Sequence, residues 1–241
     1  MNQTQHTEVQ SSENATVQSS EAMRVGLLLT LTGGFLDAYT YLVRGHVFAN
    51  AQTGNIVMMG VNIAQGNWWG VGRYLLPVLA FVAGVLLAET IRAHGKAQGG
   101  GVLHWRQWVL CIELVVLAAV SFMPVNDIWN TVANVCVSFV CSLQVQSFRK
   151  VHGRAYATTM CTGNLRSGTE LLVQYLHSGD RVLRMHMINY YGVILAFLVG
   201  AAISALAVGP LGAKAIWLGC LVLAVVLGML FSSEWETVGP M

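Results

Sequence analysis

The chain has 241 residues, 55% of them hydrophobic and only 10% charged, where soluble domains carry about 25% charged residues. So few charges cannot clothe a water-exposed surface, which excludes an ordinary soluble domain and points to a multi-spanning, all-α membrane protein with the lipid bilayer as its main partner. The net charge of +2 supplies no field to draw nucleic acid.

Residues 1–22 are polar and lack aromatics. They cannot bury enough surface to order themselves, and without an apolar h-region they are no secretory signal, so they read as a disordered tail. Six segments follow that are oily and long enough to span: 24–43, 73–92, 105–123, 128–148, 187–208 and 214–232. Each runs about 19–22 residues, matching a hydrocarbon core about 30 Å thick at 1.5 Å per residue. Trp68, Trp69, Trp105, Trp108, Trp129 and Trp217 mark several of their ends, where an amphipathic indole prefers to sit. Residues 234–241 form a short C-terminal tail.

Two shorter segments, 50–66 and 160–177, carry the tripeptide Thr-Gly-Asn near their start: Thr53, Gly54, Asn55 and Thr162, Gly163, Asn164. The second also holds Arg166 and Glu170. Each such charge at mid-membrane costs about 2.5–3.5 kcal/mol on insertion scales, so a lone lipid-facing helix is disfavoured and a short helix enclosed by the others is expected. If both segments are re-entrant, the Lys and Arg residues divide ten against three between the two faces. If both cross, giving eight spans, and Arg166 is left uncounted, they divide eight against four. Positive-inside bias favours six spans with both termini cytoplasmic.

The Thr-Gly-Asn recurrence is matched by a second one: Leu79–Gly84, LAFVAG, returns as Leu195–Gly200, LAFLVG. The order of span, Thr-Gly-Asn segment, span, span also repeats, which divides the membrane region into internal repeats over 23–125 and 126–233. Three full spans per repeat make an inverted pair, whereas four would make parallel ones. In an inverted pair the two polar segments enter from opposite sides. Their helix N-termini, with unpaired N–H groups and positive dipole ends, meet near the midplane in a polar spot of the kind that holds transported solutes.

These residues are familiar. The stretch TGGFLDAYTYL, then HVFANAQTGNIV and a short helix ending in AQG, resembles the bacterial YoaK family, domain DUF1275, over nearly all of the chain after residue 22. The family pattern of Gly-Gly-x-x-Asp falls here on Gly33, Gly34 and Asp37, and Phe-x-x-x-x-Thr-Gly-Asn on Phe48, Thr53, Gly54 and Asn55. Where the family carries Gly-x-Gln-Asn in a later span, this chain has Ser142, Gln144 and Val145. The resemblance implies a multi-pass inner-membrane protein and brings no substrate with it.

The candidate site residues are few. Asp37, well inside the first span, is suited to bind a cation, carry a proton or pair with a substrate amine; the structural alternatives are an ion pair with Arg166 or a neutral acid bonded to a neighbouring helix. Tyr41 shares its face at i+4. Gln144 and Gln146 either bond a solute or tie helices together. Arg166 pairs with Glu170 or faces Asp37 or an anionic solute. Glu113 is a second span-embedded acid, and Glu89 is interfacial. The small-xxx-small faces Gly84/Ala88 and Gly200/Ser204 mark close helix packing, between halves or between subunits of a homo-oligomer. The five cysteines read as packing residues, and no metal-ligand spacing, cofactor fingerprint or nucleophile motif points to an enzyme. The expected function is a small-solute transporter or channel with a central polar site; the alternative is a non-transporting assembly or scaffold protein.

Overall fold

A computed structural model of the protein describes residues 2–97, 102–148 and 161–237, with side chains described over 23–93, 105–148 and 161–232. The expectations for the tails at 1–22 and 234–241 lie outside the described side chains. The described residues are all-helical, with no strand among them. In chain order the helices are α1 (Asn2–Val43), α2 (Gln52–Ala64), α3 (Trp68–Ala97), α4 (Val102–Val120), α5 (Asp127–Ser147), α6 (Cys161–Ser178), α7 (Arg181–Leu211) and α8 (Ile216–Thr237). Helices thus fall on all six oily segments and on both Thr-Gly-Asn segments.

Four stretches are long and apolar enough to cross a bilayer: Met23–Val43, Trp68–Ala93, Asp127–Ser147 and Arg181–Ser232. The last runs for 52 residues and comprises α7, a 3-10 turn over Gly212–Ala215, and α8. Its corner is made by Pro210 and by Gly212, whose φ of 52° suits a residue without a Cβ. Local signals set other boundaries. Asn126 Oδ1 accepts from the Trp129 N–H at 3.0 Å to start α5, and Asp180 Oδ1 accepts from the Val182 N–H at 2.8 Å to start α7.

The bundle is built by exchange. α1 lies along α7 and also touches α8, while α3 lies along α5, and α4 packs on α5 and α8. α2 rests on α3 and α6 on α7. The α1–α7 crossing demands glycine on both sides: a Cβ at Gly34 would collide with the Phe197 carbonyl, and one at Gly200 with the Leu31 carbonyl. In the α3–α5 crossing a Cβ at Gly84 would lie 2.6 Å from the Phe139 carbonyl oxygen. The small-residue faces therefore pack the first part of the chain against the second. Between the helices sits an apolar core that includes Leu29, Phe35, Leu36, Leu110, Leu117, Val137, Leu223 and Val226. Large apolar side chains such as Leu86, Val115 and Leu206 point outward, as on a lipid-facing surface.

One end of the bundle gathers the chain turns. Arg73, in the first turns of α3, donates to the carbonyl of Gly45 just after α1. Arg44 reaches Val120, Met123 and Pro124 at the end of α4, and Tyr39 Oη donates to Ala213 in the α7–α8 corner at 2.9 Å. The end of α1, the start of α3, the end of α4 and the α7–α8 corner therefore lie together.

Candidate functional site

After α1 the chain does not leave the bundle. Gly45 and His46 take positive φ angles of 86° and 61° and turn it back inward. Residues 48–51 then descend beside α1 until Asn50 is level with Asp37. The Asp37 carboxyl, 4% exposed, accepts through Oδ1 from the N–H of Asn50 at 2.6 Å and of Ala51 at 3.4 Å. Ala51 is the N-cap of α2 and provides no side-chain cap of its own. Asp37 thus sits at the amide end of α2, where the helix dipole favours a negative group. Asn50 Nδ2 reaches back to the Gly33 carbonyl at 3.4 Å.

The first Thr-Gly-Asn copy builds this loop. Asn55 is fully buried; its Oδ1 accepts from the Phe48 N–H at 3.0 Å, and its Nδ2 donates to the Phe48 carbonyl at 2.8 Å and to Gln52 Oε1 at 2.9 Å. Gly54 lets the Phe48 ring lie against the helix, since a Cβ there would sit 2.8 Å from it. Asn55 is therefore a clamp on the descending backbone. Thr53 is exposed and, with Gly54, Tyr41, His46, Phe48, Val57, Met58 and Tyr74, lines a mainly apolar cavity of about 290 Å³. Tyr41 stacks on Phe48 with ring centroids 4.9 Å apart. Asp37 does not line this cavity.

In the second copy Asn164 is buried, while Thr162 and Gly163 are exposed. Cys161, at the start of α6, lies within electrostatic range of Asp37. Only the α2 amide end is bonded to Asp37, and α2 and α6 make no contact with one another among the described residues. Arg166 does not face Asp37: its Nε is 2.9 Å from Glu170 Oε1, and the two side chains are 80% and 55% exposed on the outer face of α6.

Gln144 and Gln146 point to other acids. Gln144 Nε2 donates to both oxygens of the fully buried Glu113, at 3.3 and 3.1 Å, tying α5 to α4. Gln146 donates to Glu89 on α3, and Glu89 also holds Arg92 at 2.6 Å. The candidate residues therefore divide into four places: Asp37 with the α2 loop, a flanking cavity around Tyr41 and Thr53, the α5 glutamines with their acids, and the start of α6 with Thr162, Gly163, Asn164 and Arg166.

Sequence reasoning missed four participants. Arg44 is fully buried without a carboxylate partner among the described residues; its guanidinium donates to the carbonyls of Met123, Pro124 and Val120 at 3.1, 3.0 and 2.8 Å. A cation at the carbonyl end of α4 is stabilised by the negative dipole end. Asn134 Nδ2 donates to the Arg44 carbonyl at 2.8 Å, Ser138 is fully buried one turn further along α5, and Cys141 lies beside Asn50. The signal for these was available: Asn130, Asn134, Ser138, Cys141, Gln144 and Ser147 recur at helical spacing along α5.

Apolar outward faces, helices long enough to cross a bilayer and a buried polar centre define a polytopic α-helical membrane protein. Its sequence matches the family model described as "Protein of unknown function (DUF1275)" over residues 25–229, and the chain belongs to that family. It is 31% identical over 193 residues to the UPF0700 transmembrane protein YoaK of Bacillus subtilis (strain 168), an alignment covering 75% of this chain and 81% of that relative. No solved structure matches the chain.

Proposed function

We propose that the protein is a small-solute transporter or channel of the bacterial inner membrane, made of two inverted halves of three spans each, with both termini cytoplasmic. The single observation that carries this reading is the loop that plunges from the end of α1 to Asp37 and delivers the amide end of α2 to a buried acid. Irregular backbone at that depth is tolerated in membrane proteins where it serves a site. The link from Arg73 to Gly45 supports a re-entrant α2, since α3 starts on the face where α1 ended. The exchange of packing partners supports equivalent halves: α1–α7 answers α5–α3, α2–α3 answers α6–α7, and α1–α8 answers α5–α4. Arg44, Arg73 and Lys214 then share one face, the poorer one in positive charge, which supports the cytoplasmic placement of the termini. This reading assigns the chain no catalytic step.

In proteoliposomes given a panel of small ions and polar solutes under an imposed proton gradient, the protein is expected to pass at least one solute, and Asp37→Asn to cut that flux by about tenfold or more. A panel with no Asp37-dependent flux removes the reading.

A scaffold role is favoured by a different observation, the outward face of α6. Arg166 and Glu170 are exposed there, and a lipid neighbour would serve them poorly. In that case gentle extraction yields a stable complex that Arg166→Leu with Glu170→Leu disrupts.

A further inference from the structure

Among the described residues, the buried side-chain atoms without a hydrogen-bond partner include Asp37 Oδ2, Asn50 Oδ1, Asn130 Oδ1, Asn134 Oδ1 and Ser138 Oγ. These five are oxygens; the others are Arg73 Nε, Arg106 Nε and Ser204 Oγ. Buried polar groups left unpaired are rare and call for an occupant. Asn130, Asn134 and Ser138 stand at i, i+4 and i+8 on α5, so they share one face. Two contacts fix that face against α1. Asn134 bonds the Arg44 carbonyl, and Cys141 lies beside Asn50, whose N–H bonds Asp37. Asp37 to Arg44 and Asn134 to Cys141 are equal runs in opposite directions, each about 10 Å of helix. Ser138 therefore falls between the level of Arg44 and the level of Asp37. The free oxygens trace a line from the bundle end that holds Arg44 down to the carboxyl.

Among the described residues, no side-chain cation answers that carboxyl. Arg44 is spent on carbonyls and on Tyr39 Oη, and Arg166 is held by Glu170. The groups around Asp37 are the Cys141 and Cys161 thiols, with Glu113 beyond Cys141, and none of them carries positive charge. The Asn50 and Ala51 N–H groups and the amide end of α2 offset part of its charge through Oδ1, and the unpartnered Oδ2 calls for a proton or a bound cation. A single carboxylate surrounded by neutral oxygens balances one positive charge. Divalent ions demand more ligands or retained waters and would leave surplus charge in the interior.

We propose that Asp37, Asn50 and Ser138 form a site for an exchangeable monovalent cation, a proton or a sodium ion, which arrives from the Arg44 end past Asn130 and Asn134. The site deepens the transporter reading by naming the ion to which flux is coupled, and it rests on that reading only for its physiological use.

Binding is measured without any transported solute, by thermal unfolding of the purified protein in detergent. One arm exchanges choline chloride for sodium chloride at constant ionic strength and pH 8.5; the other lowers pH from 8.5 to 5.5 in choline chloride. A midpoint rise of about 5–10 °C is expected in one arm, as for a ligand at roughly a hundredfold over its dissociation constant. A rise in the first arm identifies sodium, and a rise in the second identifies the proton. Asp37→Asn, nearly isosteric, is expected to abolish the rise, and Ser138→Ala to shift the half-effect by about tenfold, or one pH unit. No rise in either arm overturns the proposal, as does a rise that persists in Asp37→Asn or a half-effect that Ser138→Ala leaves unmoved. Cation binding with no flux would retain the site and remove the transporter; flux with no cation-dependent rise would do the reverse.

Discussion

Asn55 and Arg44 show what polar residues accomplish inside this bundle. Asn55 satisfies both backbone groups of Phe48 where the chain runs through the interior with no ladder partner. Asn55→Ala would leave the Phe48 N–H without its acceptor, at a cost of about 1–3 kcal/mol. The expected result is a thermal midpoint lower by about 5 °C in detergent, whereas Thr53→Ala, at an exposed neighbour, leaves it within about 1 °C. Arg44 spreads its donors over three carbonyls at the end of α4 and over Tyr39 Oη. A lysine ammonium cannot reproduce that planar fork. Arg44→Lys is therefore expected to destabilise by about 2 kcal/mol or more, read as a comparable fall in midpoint for Arg44→Lys and Arg44→Met.

At the scale of helices, stability comes from close crossings and from a few polar ties, because lipid gives apolar faces little reason to associate. The α1–α7 crossing places Gly34 and Gly200 against opposing carbonyls. Backbone cannot yield as a flexible side-chain tip can, so Gly200→Val should separate the helices. The expected outcome is loss of folded, monodisperse protein on size exclusion, while Gly209→Val on the same helix, with open space around it, is tolerated. The Gln144–Glu113 tie belongs to the same scale. Gln144→Leu removes the donor that serves both Glu113 oxygens, and leaving the acid unpartnered costs about 1–3 kcal/mol. Glu113→Gln in the same chain avoids burying an unpartnered ionisable group and is expected to recover part of the lost midpoint.

For the molecule as a whole, the inverted arrangement makes a directional prediction. Thr53 follows the loop from the Arg44 face, whereas Thr162 begins the helix that leads to the start of α7 at the other end. Thr53→Cys should react with a membrane-impermeant thiol reagent added outside intact cells, and Thr162→Cys only from the cytoplasmic side. Labelling of both from one side would exclude inverted halves. The two halves also differ in their outer surfaces: α2 exposes Ile56, Val57, Val61 and Ile63, while α6 exposes Arg166 and Glu170 beside Leu165, Val173 and Leu176.

Composition and run length alone determined that this is a helical membrane protein, because a chain with so few charges has no other stable surface. Helices on the six oily segments were legible for the same reason, and Asp37 stood out as an acid in an apolar run; the start of α1 at Asn2 was not. The roles of its partners were not legible. Asn55, expected at a polar solute site, holds Phe48 in the descending loop; of the alternatives open for Gln144, Gln146 and Arg166, the helix ties and the pair with Glu170 are the contacts formed. The role of Arg44 was not legible, because one sequence cannot reveal the carbonyls at the end of α4 converging on it from 76 to 80 positions away. Which polar atom satisfies which is set by the crossing of distant helices, and only the tertiary structure decided it.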